Sequence, residues 1–435
     1  MPHARFRVHL PLRSHPGRGI VLGALLALVL ALPVTARADV IADWNRLTLK
    51  LEQPRAFTPL TRASAMVQVA MHDAINSLPD QRRYATYLPP VSAPPGASAE
   101  AAAVAAARGV MLRYALTVHP EAPALVTQIE ALYATSLAAI PDGPAKAAGL
   151  QVGEATAEQL WNVRDGDGWN NPDHLPYVFP TPAPGVWRPV PPWPANNVPS
   201  FYWWSRVTPW TLRSPSQFLP PPPPDITKRR FLEDVAETRA YGDSQSTVRT
   251  ADQSFAASWW GVCEETSTGG VIGLMAAQLV QDHGVNLYDS ARIFALLTMA
   301  QADAMISNVD SKATWSFWRP ITAIHESGDT GWTPFLITPP TQEYPAGHPM
   351  VSGSGAYLLA LFFGQGELER PLQITSPNCG TRTFPSLQAV VDEVINARIW
   401  GGMHYRHSGV VGARTGKQIA HWVHAHALRP LDCAR

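Results

Sequence analysis

Long hydrophobic runs, cysteines, lysines and strand-like alternation are all scarce in this 435-residue chain. Beyond the N-terminus, no apolar stretch reaches the roughly 20 residues that a membrane-spanning helix needs, so the chain is expected to be soluble once any leader is removed. There are only three cysteines, Cys263, Cys379 and Cys433, and no CxxC spacing, which excludes a zinc site built on thiolates. In an oxidising compartment one disulfide can form, and Cys379 with Cys433 is the expected pair. With only five lysines and equal numbers of acidic and basic residues, 34 of each, the chain lacks the basic footprint of a nucleic-acid binder. Runs alternating apolar and polar residues and Asn-Gly turns are nearly missing, which argues against a β-sheet core.

What is present begins with a leader. Arg5, Arg7, Arg13 and Arg18 precede an apolar run from Ile20 to Val34, and Ala36-Arg37-Ala38 follows as a small-x-small cleavage signal. That three-part layout is the pattern of a secretory signal peptide. Residues 1–38 are therefore expected to be removed, leaving a periplasmic or extracellular protein with no membrane insertion. The segment carries five of the 34 basic residues and no acid, so 29 basic residues face 34 acidic ones in the mature chain, a net charge of −5.

Helical periodicity dominates the rest. Four segments, 60–78, 98–117, 122–140 and 143–164, predict an N-terminal bundle over 39–170. Composition then shifts: 171–225 is rich in Pro and Trp and includes the run Pro220–Pro224. Such a stretch cannot be helical, and its tryptophans predict a coil packed on a surface rather than a loose linker. Helical patterns resume at 226–241, 271–283, 286–308, 349–363, 385–397 and 409–427. The expected fold class is all-α: two helical bundles joined by the Pro/Trp-rich crossover, with the functional site in the C-terminal bundle, 226–435.

Three segments of that second half carry chemistry. In the first, Lys312 and Arg319 are seven residues apart before Pro320. On a helix that spacing is two turns and puts both cations on one face, where a shared anion would offset their repulsion. The second is Tyr344-Pro-Ala-Gly347-His348-Pro349. Pro349 suits the first turn of a helix, so Gly347 and His348 fall at a helix N-terminus, where amide donors and the dipole favour an oxyanion. In the third, Arg398 and His404 flank the Gly401-Gly402 turn. A guanidinium can grip an oxyanion with paired hydrogen bonds, and an imidazole can serve as ligand or nucleophile. Read singly, each segment also fits an ordinary charge pair, helix cap or turn.

In order, Lys-x6-Arg-Pro, Pro-x-Gly-His and Arg-x5-His resemble the signature of bacterial vanadium-dependent haloperoxidases within the type-2 phosphatidic acid phosphatase/haloperoxidase superfamily. Ser64–Asn76, Pro184–Pro189 and Ser290–Leu296 extend the likeness over nearly all of 39–435. The resemblance implies vanadate as cofactor, with phosphate able to occupy the same site. Lys312, Arg319 and Arg398 would neutralise its equatorial oxygens, and the Gly347 amide would donate to it. His404 would attach to the central atom, as metal ligand or as nucleophile, and His348 would be the acid–base group.

Two residues depart from the family pattern. Ala346 stands where a serine is usual, and Ser408 where an aspartate would orient His404. The leading expectation is a haloperoxidase that takes hydrogen peroxide, halide and a small organic acceptor. A soluble acid phosphatase working through a phospho-histidine is the alternative, and a degenerate, non-catalytic oxyanion-binding protein is the second. Association into a homo-oligomer is left open. His72-Asp73, Asp165–Gly168 and Glu264-Glu265 are expected to be structural or solvated.

Overall fold

The computed structural model describes residues 39–50, 57–119, 123–170, 176–263, 270–376 and 378–431. Among these the chain is helical apart from one small sheet. Five helices form the first half: α1 (Val40–Thr48), α2 (Phe57–Asn76), α3 (Ala99–Thr117), α4 (Pro123–Ala138) and α5 (Pro144–Asp165). The second half holds α6 (Arg229–Gly242), α7 (Ala251–Gly261), α8 (Gly270–Asp282), α9 (Leu287–Trp315), α10 (Pro320–Glu326), α11 (Gly347–Phe363), α12 (Leu387–Trp400) and α13 (Arg406–His426).

Local chemistry explains the helix starts. Ser98 caps α3 by accepting from Ala101 N, and Asn286 caps α9 by accepting from Tyr288 N and Asp289 N. Thr250 and Gln253 form a reciprocal capping box at α7, a signal present in the sequence although no helix was expected there. Helix α9 is buried on nearly every side from Ser290 to Asn308, which makes it the central post of the molecule. It packs against α2 from the first half and against α11 and α13 from the second. One apolar cluster, including Val67 and Met71 of α2, Phe294 and Leu297 of α9, and Val351 and Leu359 of α11, runs through both halves. From residue 39 onward the described residues form one compact unit.

The Pro/Trp-rich stretch is ordered against that post. Asp303 of α9 accepts from the amides of Trp210, Thr211 and Leu212 at 2.6, 2.9 and 3.2 Å. Trp187, Trp204 and Trp210 are buried, and the described part of the stretch contains a short 3₁₀ turn, Tyr202–Arg206. His72 and Asp73 are structural: Asp73 receives His72 Nδ1 and the amides of Tyr87 and Leu88. Asp167 of the Asp165–Gly168 turn pairs with buried Arg62 and Arg164. Glu264 and Glu265 lie outside the described residues.

The all-α fold class holds with one small addition, and two expectations are corrected. A two-stranded antiparallel sheet exists, β1 (Leu372–Ser376) with β2 (Gly380–Phe384), in the register Leu372↔Phe384. Its strands are five residues each, too short for alternation to register against helical surroundings. Cys379, in the turn of that hairpin, bonds Cys263 at the end of α7 with a Cα separation of 6.1 Å, within disulfide range; Cys433 lies outside the described residues. Lys312 and Arg319 do not share a helix face either. Helix α9 ends at Trp315, Ser316 turns the chain through φ 39°, and Arg319 is extended.

Candidate functional site

The site forms where the ends of five helices meet. Lys312 lies in the last turn of α9, and Arg319 immediately precedes α10. Gly347 and His348 open α11, Arg398 is in the last turn of α12, and His404 lies in the turn entering α13. The bend at Ser316 brings the first two cations together from different elements. All six residues expected from the sequence converge here: the charges of Lys312, Arg319 and Arg398 all act on both His348 and His404.

Helix α13 fixes the position of the α11 N-terminus. A Cβ on Gly412 would strike the Ala346 carbonyl, and one on Gly416 the Met350 carbonyl, so only glycine at these (i, i+4) positions lets the helices approach this closely. Gly347 is the first residue of α11, and its amide therefore has no intrahelical acceptor. A Cβ at Gly347 would lie 3.0 Å from Asn308 Oδ1, so a side chain there fits only if Asn308 gives way. Ala346, at the cap position, makes no side-chain hydrogen bond to the helix.

The cations are buried. Arg319 is anchored by the Thr341 and Met403 carbonyls, each at 2.8 Å, and by Thr341 Oγ1 at 2.8 Å. Lys312 Nζ donates to the Gln342 carbonyl and, at 3.3 Å, to that of Glu343. Arg398 is only 2% exposed. Its Nη2 reaches Met403 Sδ at 3.1 Å, while Nε and Nη1 have no hydrogen-bond partner among the described residues. Unsatisfied guanidinium donors in a buried place are costly unless a ligand takes them.

Electrostatics agree. Burial, then the charge of Arg319, pulls the Arg398 guanidinium down to about 9, and burial brings Arg319 to about 10. Burial and the neighbouring guanidinium groups hold the Lys312 ammonium well below its usual range, against the pull of Glu343. Burial, and after it the surrounding cations, keep both His348 and His404 neutral far below the ordinary imidazole range. Three cations are thus packed together with one carboxylate between them, an arrangement that favours a multiply charged anion.

That carboxylate, Glu343, is absent from the sequence-based site. It is fully buried, and burial pushes it up to about 7 against the pull of Arg319 and Lys312. Its Oε1 receives His404 Nδ1 at 2.8 Å and Tyr405 N at 3.1 Å. Arg319 Nη1 approaches His404 Nε2 at 3.0 Å. Since a guanidinium only donates, Nε2 is the acceptor and the imidazole proton sits on Nδ1, facing Glu343. The Nε2 lone pair therefore points toward the cations. Ser408 Oγ donates to the Glu343 main-chain carbonyl at 3.4 Å and lies close enough to its carboxyl group to oppose the upward shift. The sequence did hold a signal, because Glu343 is the lone charged residue between positions 330 and 366.

Residues 292–432 match the family model of the VCPO second helical-bundle domain, a span that contains every site residue named above. The fold is that of a bacterial vanadium-dependent iodoperoxidase, with a TM-score of 0.76 and 22% identity over 91% of this chain and 98% of that one. Two structures of bacterial vanadium-dependent chloroperoxidase share it. The apo form has a TM-score of 0.65 at 16% identity, covering 85% of this chain and 93% of that one; the holo form has 0.64 at 18%, covering 90% and 92%. At these identities the likeness is one of fold. No curated protein sequence matches the chain.

Proposed function

We propose that this chain is a vanadate-dependent haloperoxidase, oxidising halide with hydrogen peroxide for transfer to a small organic acceptor. The observation that carries the reading is buried Arg398, with two unpartnered donors beside Lys312, Arg319, the Gly347 helix end and the His404 Nε2 lone pair. This donor set fits vanadate. Its oxygens would take hydrogen bonds from Lys312, Arg319, Arg398 and the Gly347 amide, and its metal the Nε2 of His404. When bound, vanadate supplies a Lewis acid that activates peroxide toward halide without a change in oxidation state at the metal. Overall, peroxide, halide and a proton yield hypohalous acid and water.

The protein's own residues do the rest. Lys312 and the two arginines neutralise and orient the anion in a site largely closed to water, where such contacts are strongest. His348 is partly exposed and neutral, so it can accept a proton from an incoming reactant and return it. The family fold of the solved structures and the motif order support the choice of haloperoxidase; that is support by analogy. The leader sequence and the Cys263–Cys379 bridge support an exported protein.

A second reading, phosphomonoester hydrolysis, is favoured by the carboxylate-paired imidazole, because the Nε2 of His404 is presented as a nucleophile would be. The non-catalytic reading loses ground because the charge missing at Ser408 is supplied by Glu343. The test is bromination of a phenolic dye by the mature protein with bromide, peroxide and added vanadate, beside a phosphate-ester assay. Vanadate-dependent bromination that is lost in His404→Ala is expected. Ester hydrolysis inhibited by vanadate, without bromination, would replace this reading with the second.

A further inference from the structure

His404 takes its carboxylate partner from outside its own helix, and that partner lies among the cations that would hold the oxyanion. Glu343 comes from the loop before α11 and reaches His404 Nδ1 at 2.8 Å. The same Oε1 accepts the Tyr405 amide at 3.1 Å, so the carboxylate is held in line with the ring by the residue that follows it. The Lys312 ammonium hydrogen-bonds the Glu343 carbonyl at 3.3 Å, and Arg319 contacts the other ring nitrogen of His404. A carboxyl group is therefore fixed within the group of three cations that would attract a negative ligand.

We propose that Glu343 is a positioning residue that sets the reactivity of His404 at the expense of oxyanion affinity. This deepens the reading above and rests on it for the identity of the reaction. By accepting a hydrogen bond from Nδ1–H, Glu343 fixes the tautomer that keeps the acceptor lone pair on Nε2, where Arg319 now donates to it. The Glu343 charge also makes that nitrogen more basic, as an outer carboxylate does for a ligating histidine. The same charge repels the oxyanion that the cations attract. A residue that only filled space or held the loop would support binding and turnover together. Glu343 instead moves them in opposite directions.

Glu343→Gln separates the two effects. Glutamine keeps an acceptor oxygen for His404 and Tyr405 but removes the charge. The probe for binding is inorganic phosphate, titrated calorimetrically into the mature protein, and turnover is read in the bromination and phosphate-ester assays. The Gln variant is expected to bind phosphate about tenfold tighter and to lose roughly 10–100-fold in turnover at saturation. Glu343→Asp keeps the charge but withdraws it from Nδ1, so phosphate affinity is expected to stay near that of the parent while turnover falls. It also serves as the second variant should Gln fail to fold.

Weaker phosphate binding in the Gln variant, or unchanged turnover in either variant, overturns the proposal. Should the parent protein neither brominate nor hydrolyse, the functional reading fails separately. Glu343 is then judged on phosphate alone: tighter binding in the Gln variant sustains its repulsive role, and equal or weaker binding overturns it.

Discussion

At the scale of single residues, Ala346 stands where the motif pattern that the site resembles has a serine. It is fully buried at the head of α11 and offers that helix no side-chain cap. A hydroxyl there would serve two needs, capping the helix and donating to an oxyanion held at Gly347. Capping of this kind contributes about 1 kcal/mol, and a charge-assisted hydrogen bond about 1.5–3 kcal/mol. Ala346→Ser is therefore expected to raise the melting temperature slightly and to tighten phosphate binding at least several-fold, both readable in one calorimetric series. Unchanged affinity would mean that the Ala346 position does not face the bound anion.

At the scale of elements, the contact between α11 and α13 sets the geometry of the site. Gly412 and Gly416 lie against the first turn of α11, which carries Gly347 and His348. Gly416→Ala would press a methyl into the Met350 carbonyl and force the helices apart. Overpacking of this sort costs typically about 1–3 kcal/mol, and here it would also displace the oxyanion donors. A lower melting temperature with weakened phosphate binding is expected. Gly366→Ala, where an added Cβ meets nothing within 4 Å, is the matched control and should change neither. Equal effects from the two substitutions would contradict the packing account.

This contact also shows what could be read from the sequence. Long helices such as α3, α5 and α11 are legible from periodicity, whereas Lys312, Arg319, Gly347, His348, Arg398 and His404 are ambiguous segment by segment and are grouped only by the resemblance of their ordered motifs to a known signature. The convergence of Lys312 and Arg319 was assigned to a shared helix face, but it is made by the turn at Ser316. Glu343 is not legible in this way, because no spacing rule ties a loop carboxylate to a histidine 61 residues later. The Cys263–Cys379 pairing joins residues 116 apart, and nothing local to either cysteine encodes that distance.

At the scale of the whole molecule, the buried charges couple stability to pH. His348 and His404 titrate near 6.5 when unfolded and well below that when folded. Their contribution is therefore present above pH 6.5 and is lost as pH falls. Glu343 has the opposite sign: its folded value, about 7, lies above the unfolded 4.5. Its contribution is complete below 4.5 and is lost as pH rises through 7. Below the ordinary imidazole range the unfolded chain therefore binds more protons at the two histidines than the folded chain does, an effect that Glu343 partly offsets. Stability is expected to fall as pH drops from about 6.5 toward 5.

A bound oxyanion supplies negative charge, raises both histidines and should flatten that slope. Urea midpoints at pH 7, 6 and 5, with and without sulfate, which stays dianionic across this range, test the linkage. Arg398→Ala serves as the control for non-specific salt effects. A slope that sulfate leaves untouched would mean that the histidines and the anion do not share one site.

The central claim is that three buried cations, a helix end and a neutral imidazole make one oxyanion site. The most direct measurement is calorimetric titration of vanadate into the mature protein and into Arg398→Ala. The account predicts a single vanadate per chain, bound at least roughly tenfold more weakly when the Arg398 guanidinium is removed. Binding that is absent in the parent protein, or identical in the two, would contradict it.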